Sequence, residues 1–209
     1  MTPPQSGACP LHWDELEAPA RIPLETGASE SCDGFDPASL LLPGGCTSAE
    51  VPEDHAWRTC EIGMMRGHTR AAVQAIGPSG SGHFWTVVIA LDTPTHPHAC
   101  LGGSTVGFRL LVPVASQVPK VQWFADVDGN GERELILWER LPWGNYEVAN
   151  ALYPIVYVLD GNELVRRDDL AAGLRAGVAR AYRNLLLVEP PDGEKPACLQ
   201  AVAAALEAR

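Results

Sequence analysis

The chain has 209 residues, 46% of them hydrophobic and 20% charged, with a formal net charge of −11. This is one or at most two domains' worth of sequence, long enough to bury a sizeable core without metal or disulfides, and its composition excludes wholesale disorder. Lys and Arg total 15 against 26 Asp and Glu, so a basic surface for phosphate backbones or anionic lipid is excluded as the main binding device, and no nucleic-acid partner is expected.

In chain order, an arm comes first. Residues 1–55 hold ten acids and one base, Arg21, so they carry −9 and leave −2 for residues 56–209. They also contain 8 of the 18 prolines; proline and like charge both oppose compact packing. The reading is an acidic, Pro-rich, Cys-containing arm over 1–55, with apolar patches such as Leu40-Leu41-Leu42 able to dock on a β-rich body formed by 56–209. In that body Thr69–Ile76 and His83–Asp92 read as two strands flanking Gly77-Pro-Ser-Gly-Ser-Gly82. His83–Leu91 is apolar on both strand faces, which predicts a central strand. Gly107–Val112 sets Phe108, Leu110 and Val112 against Arg109, the alternation of a half-buried strand.

Val121–Ala125 and Leu135–Glu139 read as two more strands, joined by Asp126–Glu134. Tyr153–Leu159 and Glu163–Arg167 flank Asp160-Gly161-Asn162, a turn in which glycine supplies a positive φ. The period then becomes helical: Leu170, Leu174, Val178, Ala181, Tyr182 and Leu185 share one face, with Asp168 or Asp169 expected as N-cap. A second helix is expected to start near Pro196 and to place Leu199, Val202, Ala203 and Leu206 on one stripe. The predicted fold class is α+β: mainly antiparallel β-sheet with a strand–loop–strand unit, followed by two C-terminal helices.

Chemistry concentrates in Asp126-Val-Asp128-Gly-Asn130-Gly-Glu132-Arg-Glu134. Oxygen-bearing side chains fall at loop positions 1, 3, 5 and 9, with glycine at 6. Alternate residues on a tightly coiled loop can aim their side chains at one point, and calcium takes about six to eight oxygens. Asn130 offers a neutral carbonyl oxygen, Glu132 its backbone carbonyl, and Glu134 closes the shell directly or through water. Position 12, where an EF-hand carries its bidentate Glu, is Leu137, and the flanks Val-Gln-Trp-Phe-Ala and Leu-Ile-Leu-Trp are strand-forming. The loop therefore joins strands, not helices. Four acids within nine residues, Asp126, Asp128, Glu132 and Glu134, face Arg133 alone; without a cation they repel one another. The alternative is a Gly/Asn-rich hairpin loop whose carboxylates are simply solvated.

Over residues 121–138 the chain resembles FG-GAP/VCBS-type repeats, the calcium-loop modules of integrin-like and bacterial cell-surface proteins: an apolar strand, D-x-D-G-(D/N)-G-x-x-(D/E)-L, and a second apolar strand. The resemblance implies a calcium-stabilised, extracytoplasmic, non-enzymatic module. Carried over position by position, its Ca2+ ligands are Asp126, Asp128, Asn130, Glu132 through the carbonyl, and Glu134. Repeats of this type come in tandem and build propeller blades. A single copy occurs here, so the ion site is carried over and the propeller is not.

Six cysteines, with no C-x-x-C pair, favour disulfides and an oxidising compartment. If Cys198 is bridged, it ties the C-terminal helix to the front half of the chain, since every other cysteine lies at or before Cys100. Residues 1–8 carry no signal sequence, and no apolar run is long enough to span a bilayer. The expectation is a periplasmic, outer-membrane lipoprotein or secreted location with the signal removed. His96-Pro-His98-Ala-Cys100 is a second candidate metal pair, though a loop with Cys100 in a disulfide is the plainer reading. Gly77–His83 fails the nucleophile elbow. Trp123 and Trp138 read as core beside a rigid loop, and Trp143 as a candidate interface residue. The sequence thus points to an extracytoplasmic, calcium-binding, disulfide-stabilised module of binding or adhesion type, with a protein or glycan partner at the cell surface, working by binding rather than catalysis. The alternatives are a secreted metal-dependent hydrolase and a lipoprotein subunit of a cell-surface machine.

Overall fold

The computed structural model describes residues 11, 18–26, 37–48, 55–78, 84–104, 123–142, 150–187 and 194–209. Among the described residues nine strands form two antiparallel sheets, followed by two C-terminal helices, so the fold is α+β. The four-stranded sheet runs in chain order through β2 (His55–Met65), β3 (Thr69–Pro78), β4 (Phe84–Leu91) and β5 (His98–Ser104). The five-stranded sheet contains β1 (Arg21–Pro23), β6 (Phe124–Ala125), β7 (Glu134–Pro142), β8 (Asn150–Asp160) and β9 (Glu163–Arg166), in the order β1-β9-β8-β7-β6.

Period-2 burial explains the strands. On β8 the alternate residues Tyr153, Ile155, Tyr157 and Leu159 all enter the main core, as do Val87, Ile89 and Leu91 on β4. Val88 and Ala90 face the other way, into a second cluster with Ala72, Leu40 and Leu41. That cluster is where the early segment docks: a 3-10 helix over Pro37–Leu41 and the short helix α1 (Gly45–Ser48) cover the outer face of the four-stranded sheet. Leu40 and Leu41 are buried, whereas Leu42 is exposed. Pro154 is tolerated inside β8 because β9 reaches only as far as Tyr157, which leaves that stretch of β8 as an edge on the β9 side.

The two sheets meet at both lateral edges. Glu25, just beyond β1, forms an antiparallel bridge with His98 of β5, its N–H donating to the His98 carbonyl at 2.8 Å and its carbonyl accepting at 2.9 Å. At the opposite edge Gly63 of β2 lies against the ring of Phe124 on β6, so close that a Cβ on Gly63 would fall 2.3 Å from the ring. The helices α2 (Ala172–Leu186) and α3 (Glu194–Glu207) close the core: Val178, Tyr182 and Leu185, with Leu199, Val202 and Leu206, join the same cluster as both sheets. Among the described residues no helix is long and apolar enough to cross a membrane.

Several expectations are sharpened. The β8–β9 turn has two residues, with Gly161 at φ +60. Asn162 anchors it to the early segment, its side-chain amide donating to the Leu24 carbonyl at 3.0 Å. The helix N-cap is a correction. α2 begins at Ala172 behind Ala171, without a side-chain cap. Asp168 and Asp169 instead accept hydrogen bonds from Arg166 and Arg167, at 2.8 and 2.6 Å. Residues 168–171 form a turn ahead of the helix, so neither aspartate stands at the N-cap position and each pairs with a nearby guanidinium instead. α3 starts at Glu194, two residues before Pro196, which still lies in the first turn where its missing N–H costs nothing. The strands β1, β2 and β5 add to those expected from the sequence. Gly107–Val112, the Gly77–His83 turn beyond Pro78, and Trp143 lie outside the described residues.

Candidate metal centre

The loop between β6 and β7 is coiled by its own side chains. Both oxygens of Asp126 accept backbone N–H groups, from Gly129 at 2.8 Å and Gly131 at 2.9 Å. Asp128 accepts from the Asn130 N–H at 3.1 Å, and the Asn130 side-chain oxygen accepts from the Glu132 N–H at 2.7 Å. Each polar side chain thus fixes a backbone N–H two to five residues ahead, a local alternative to a strand ladder that Asp and Asn provide well. The path requires left-handed backbone at two places, Gly129 at φ +76 and Gly131 at φ +90, where a side chain would be strained.

Glu134, the first residue of β7, completes the arrangement. It is buried, at 3% exposure, and its carboxylate accepts the Val127 N–H at 2.7 Å. Asp126, Asp128 and Glu134 each offer one carboxylate oxygen, and the three oxygens lie within 4.8 Å of one another. Two oxygens bound at about 2.4 Å to one calcium ion can be at most about 4.8 Å apart, so the triad has the span of a hard-cation site. Its electrostatics favour a positive ion. Burial pushes the Glu134 carboxyl above the ordinary value of 4.5, and the charges of Asp128 and Asp126 push the same way, against the Val127 hydrogen bond. A cation relieves both the burial penalty and the repulsion.

Asn130 and Glu132 stand beside this triad. The Asn130 amide donates to Asp128 at 2.9 Å, and its oxygen is used in turning the loop. The Glu132 side chain is exposed and faces Arg66 of the β2–β3 turn, Nε to Oε2 being 3.6 Å. The pair His96 and His98 is divided by burial: His96 is exposed at φ +42 in the loop before β5, whereas His98 is buried with Nδ1 3.2 Å from the His96 carbonyl. Among the described residues the group of three potential ligands is the Asp126–Asp128–Glu134 triad. Cys100 is disulfide-bonded, which removes its thiolate. Trp123 and Trp138 are partly buried against the main core.

Two residues that touch the loop or the strand entering it come from distant sequence, and a third feels the loop's charge. The Glu61 carboxylate on β2 accepts the Trp123 N–H at 3.1 Å and so holds the strand entering the loop. Arg66 pairs with Glu132. Arg167 is held more firmly protonated by its hydrogen bond to Asp169 and by that residue's charge, and the charges of Asp128 and Glu134 add to the effect. No local spacing marks any of them; each reaches the loop only through tertiary packing. The chain matches no family model, no curated protein and no solved structure.

Proposed function

We propose that this protein is an extracytoplasmic calcium-binding module, stabilised by disulfides and working by binding a protein or glycan partner. The observation that carries the proposal is the Asp126–Asp128–Glu134 triad, whose hard oxygen donors suit calcium rather than a thiolate- or imidazole-seeking metal. The likeness of residues 121–138 to FG-GAP/VCBS-type loops points the same way, with Asn130 and the Glu132 carbonyl as further ligands once the ion is bound. The compartment is inferred from the cysteines. Cys46 is bonded to Cys60, and Cys100 and Cys198 are also disulfide-bonded, a state that persists in oxidising surroundings.

Calcium that binds only the folded form stabilises it by mass action, by about 1.8 kcal/mol when the free ion is about twenty times Kd. Millimolar calcium suits a site with Kd of about 10⁻⁴–10⁻³ M. Thermal melts in millimolar calcium and in chelator are therefore expected to differ by several degrees, and Asp126→Ala with Asp128→Ala removes the difference. Coincident melts in the two conditions would refute the site. Metal analysis of protein purified without chelator tests the hydrolase alternative, for which stoichiometric zinc would be the sign.

A further inference from the structure

A second polar site lies away from the loop, where α2 begins. A cleft of about 400 Å³ is lined by Tyr153, Arg166, Asp168, Asp169, Arg175 and Arg209. That volume is within the range of small-molecule sites. Its distinctive member is Arg175, in the first turn of α2. Arg175 is buried, at 4% exposure, and its guanidinium stacks 5.7 Å from the Tyr153 ring centroid. It donates to the Tyr153 hydroxyl at 2.7 Å and to the Asp168 carbonyl at 2.6 Å. Both acceptors are neutral, and its Nε is buried without a partner. A guanidinium has five N–H donors, so most of them are unused. Burying a charge without a counter-ion is costly.

The carboxylates nearest in sequence do not supply that counter-ion. Asp168 is taken by Arg166 at 2.8 Å, and Asp169 by Arg167 at 2.6 Å. The helix that carries Arg175 also lacks an acidic residue in its first turn and a side-chain N-cap, so the positive end of its dipole adds to the unbalanced charge.

We propose that this cleft binds a singly charged carboxylate group, recognised by Arg175. The charge count selects the ligand. The lining itself holds three arginines, Arg166, Arg175 and Arg209, against Asp168 and Asp169, an excess of one positive charge, and Arg175 is the buried arginine among them. A monoanion balances it, whereas phosphate brings a second negative charge beside Asp168 and Asp169. The carboxylate could belong to a free organic acid or to the C-terminus or acidic side chain of a protein partner. The site shares no residue with the calcium loop, so either can fail without the other.

The test is an NMR titration of the full chain in saturating calcium, repeated in chelator, following the Arg175 Nε–H signal. The probes are acetate, a tripeptide with a free C-terminus, the same tripeptide amidated, inorganic phosphate, and chloride at matched ionic strength. The expected result is a saturable shift with acetate or the free tripeptide, and none with the amide or chloride. Acetate alone assigns the cleft to free acids, and tighter binding of the free tripeptide assigns it to a protein partner. Arg175→Lys, which keeps the charge but loses the planar fork, should weaken binding about tenfold or more. The proposal is overturned if the Arg175 signal moves with neither acetate nor the free tripeptide up to about 50 mM, a concentration well above a millimolar Kd. Phosphate binding as tightly as carboxylate, or Arg175→Lys binding unchanged, also overturns it. If Arg175→Lys does not fold, the wild-type titration with its amide control decides alone.

Discussion

Glu134 is the residue whose behaviour separates a cation site from a solvated loop. In metal-free protein its raised pKa means that the folded form holds the proton more tightly than the unfolded chain. Stability attributable to Glu134 is therefore lost as pH rises through the window above 4.5, and regained as pH falls back toward that value. Glu134→Gln keeps an acceptor for the Val127 N–H but removes the buried charge. In chelator it should raise stability near pH 7, by on the order of 1 kcal/mol, with the gain shrinking as pH approaches 4.5. In calcium the sign reverses, because the ion needs the carboxylate ionised: Glu134→Gln weakens binding, and wild-type affinity falls with pH. Thermal melts of both proteins across pH, with and without calcium, measure this crossing; parallel curves would remove Glu134 from the site. The triad was legible in the sequence because Asp126, Asp128 and Glu134 lie on one loop with glycines at the sharp positions. Glu61 and Arg66 were not, because only the packing of β2 and the turn after it against the loop brings them there.

Among the elements, β6 is the weakest in its own right. It has two residues, pairing Phe124 with Leu135 and Ala125 with Glu134, and the acidic loop hangs from it. Its position depends on Phe124 lying over Gly63. Gly63→Ala should therefore cost about 1–3 kcal/mol by overpacking and reduce the calcium-dependent gain, since the ring can move only by carrying the loop. Phe124→Leu in the Gly63→Ala background should recover part of the loss, and a double-mutant cycle by denaturant unfolding measures the coupling. Additive effects would mean that the contact does not hold β6. Legibility varied between elements for physical reasons. β4, β8 and the two long helices announce themselves by unbroken apolar periodicity. β2, with Arg58, Cys60, Glu61 and Gly63 among its residues, has no clean alternation, because it lies at the edge of the four-stranded sheet. β5 is shortened in appearance by Gly102 and Gly103 and preceded by Pro97, so it reads as a loop.

For the molecule as a whole, the early segment is part of what encloses the four-stranded sheet. Cys60 on β2 pairs in register with Gln74, which pairs with Val88, which pairs with Cys100, so two disulfide cysteines end one row on the outer face. Cys46 in α1 reaches the first of them across a separation of 14 residues. Replacing Cys46 and Cys60 together by alanine should lower stability by about 3 kcal/mol and expose the Leu40–Leu41 cover to proteolysis. Chemical denaturation under non-reducing conditions checks the first effect and limited digestion the second. A stability loss without faster cleavage would mean that apolar packing alone holds the cover. The sequence marked this segment by its charge and proline content. Among its described residues the buried apolar side chains Ile22, Leu24, Leu40 and Leu41 are too sparse to show a period. The first and ninth strands pair across most of the described chain, a closure expected to be slow. Arg21 and Glu163 face each other across 142 residues of chain, and such a contact offers no reward until the intervening loop has been closed. A growing chain can zip β2 to β5 through successive hairpins as they emerge. The first strand must wait for the last, and until then the β5 edge of the four-stranded sheet, which the residue beyond β1 bridges, is available to wrong neighbours.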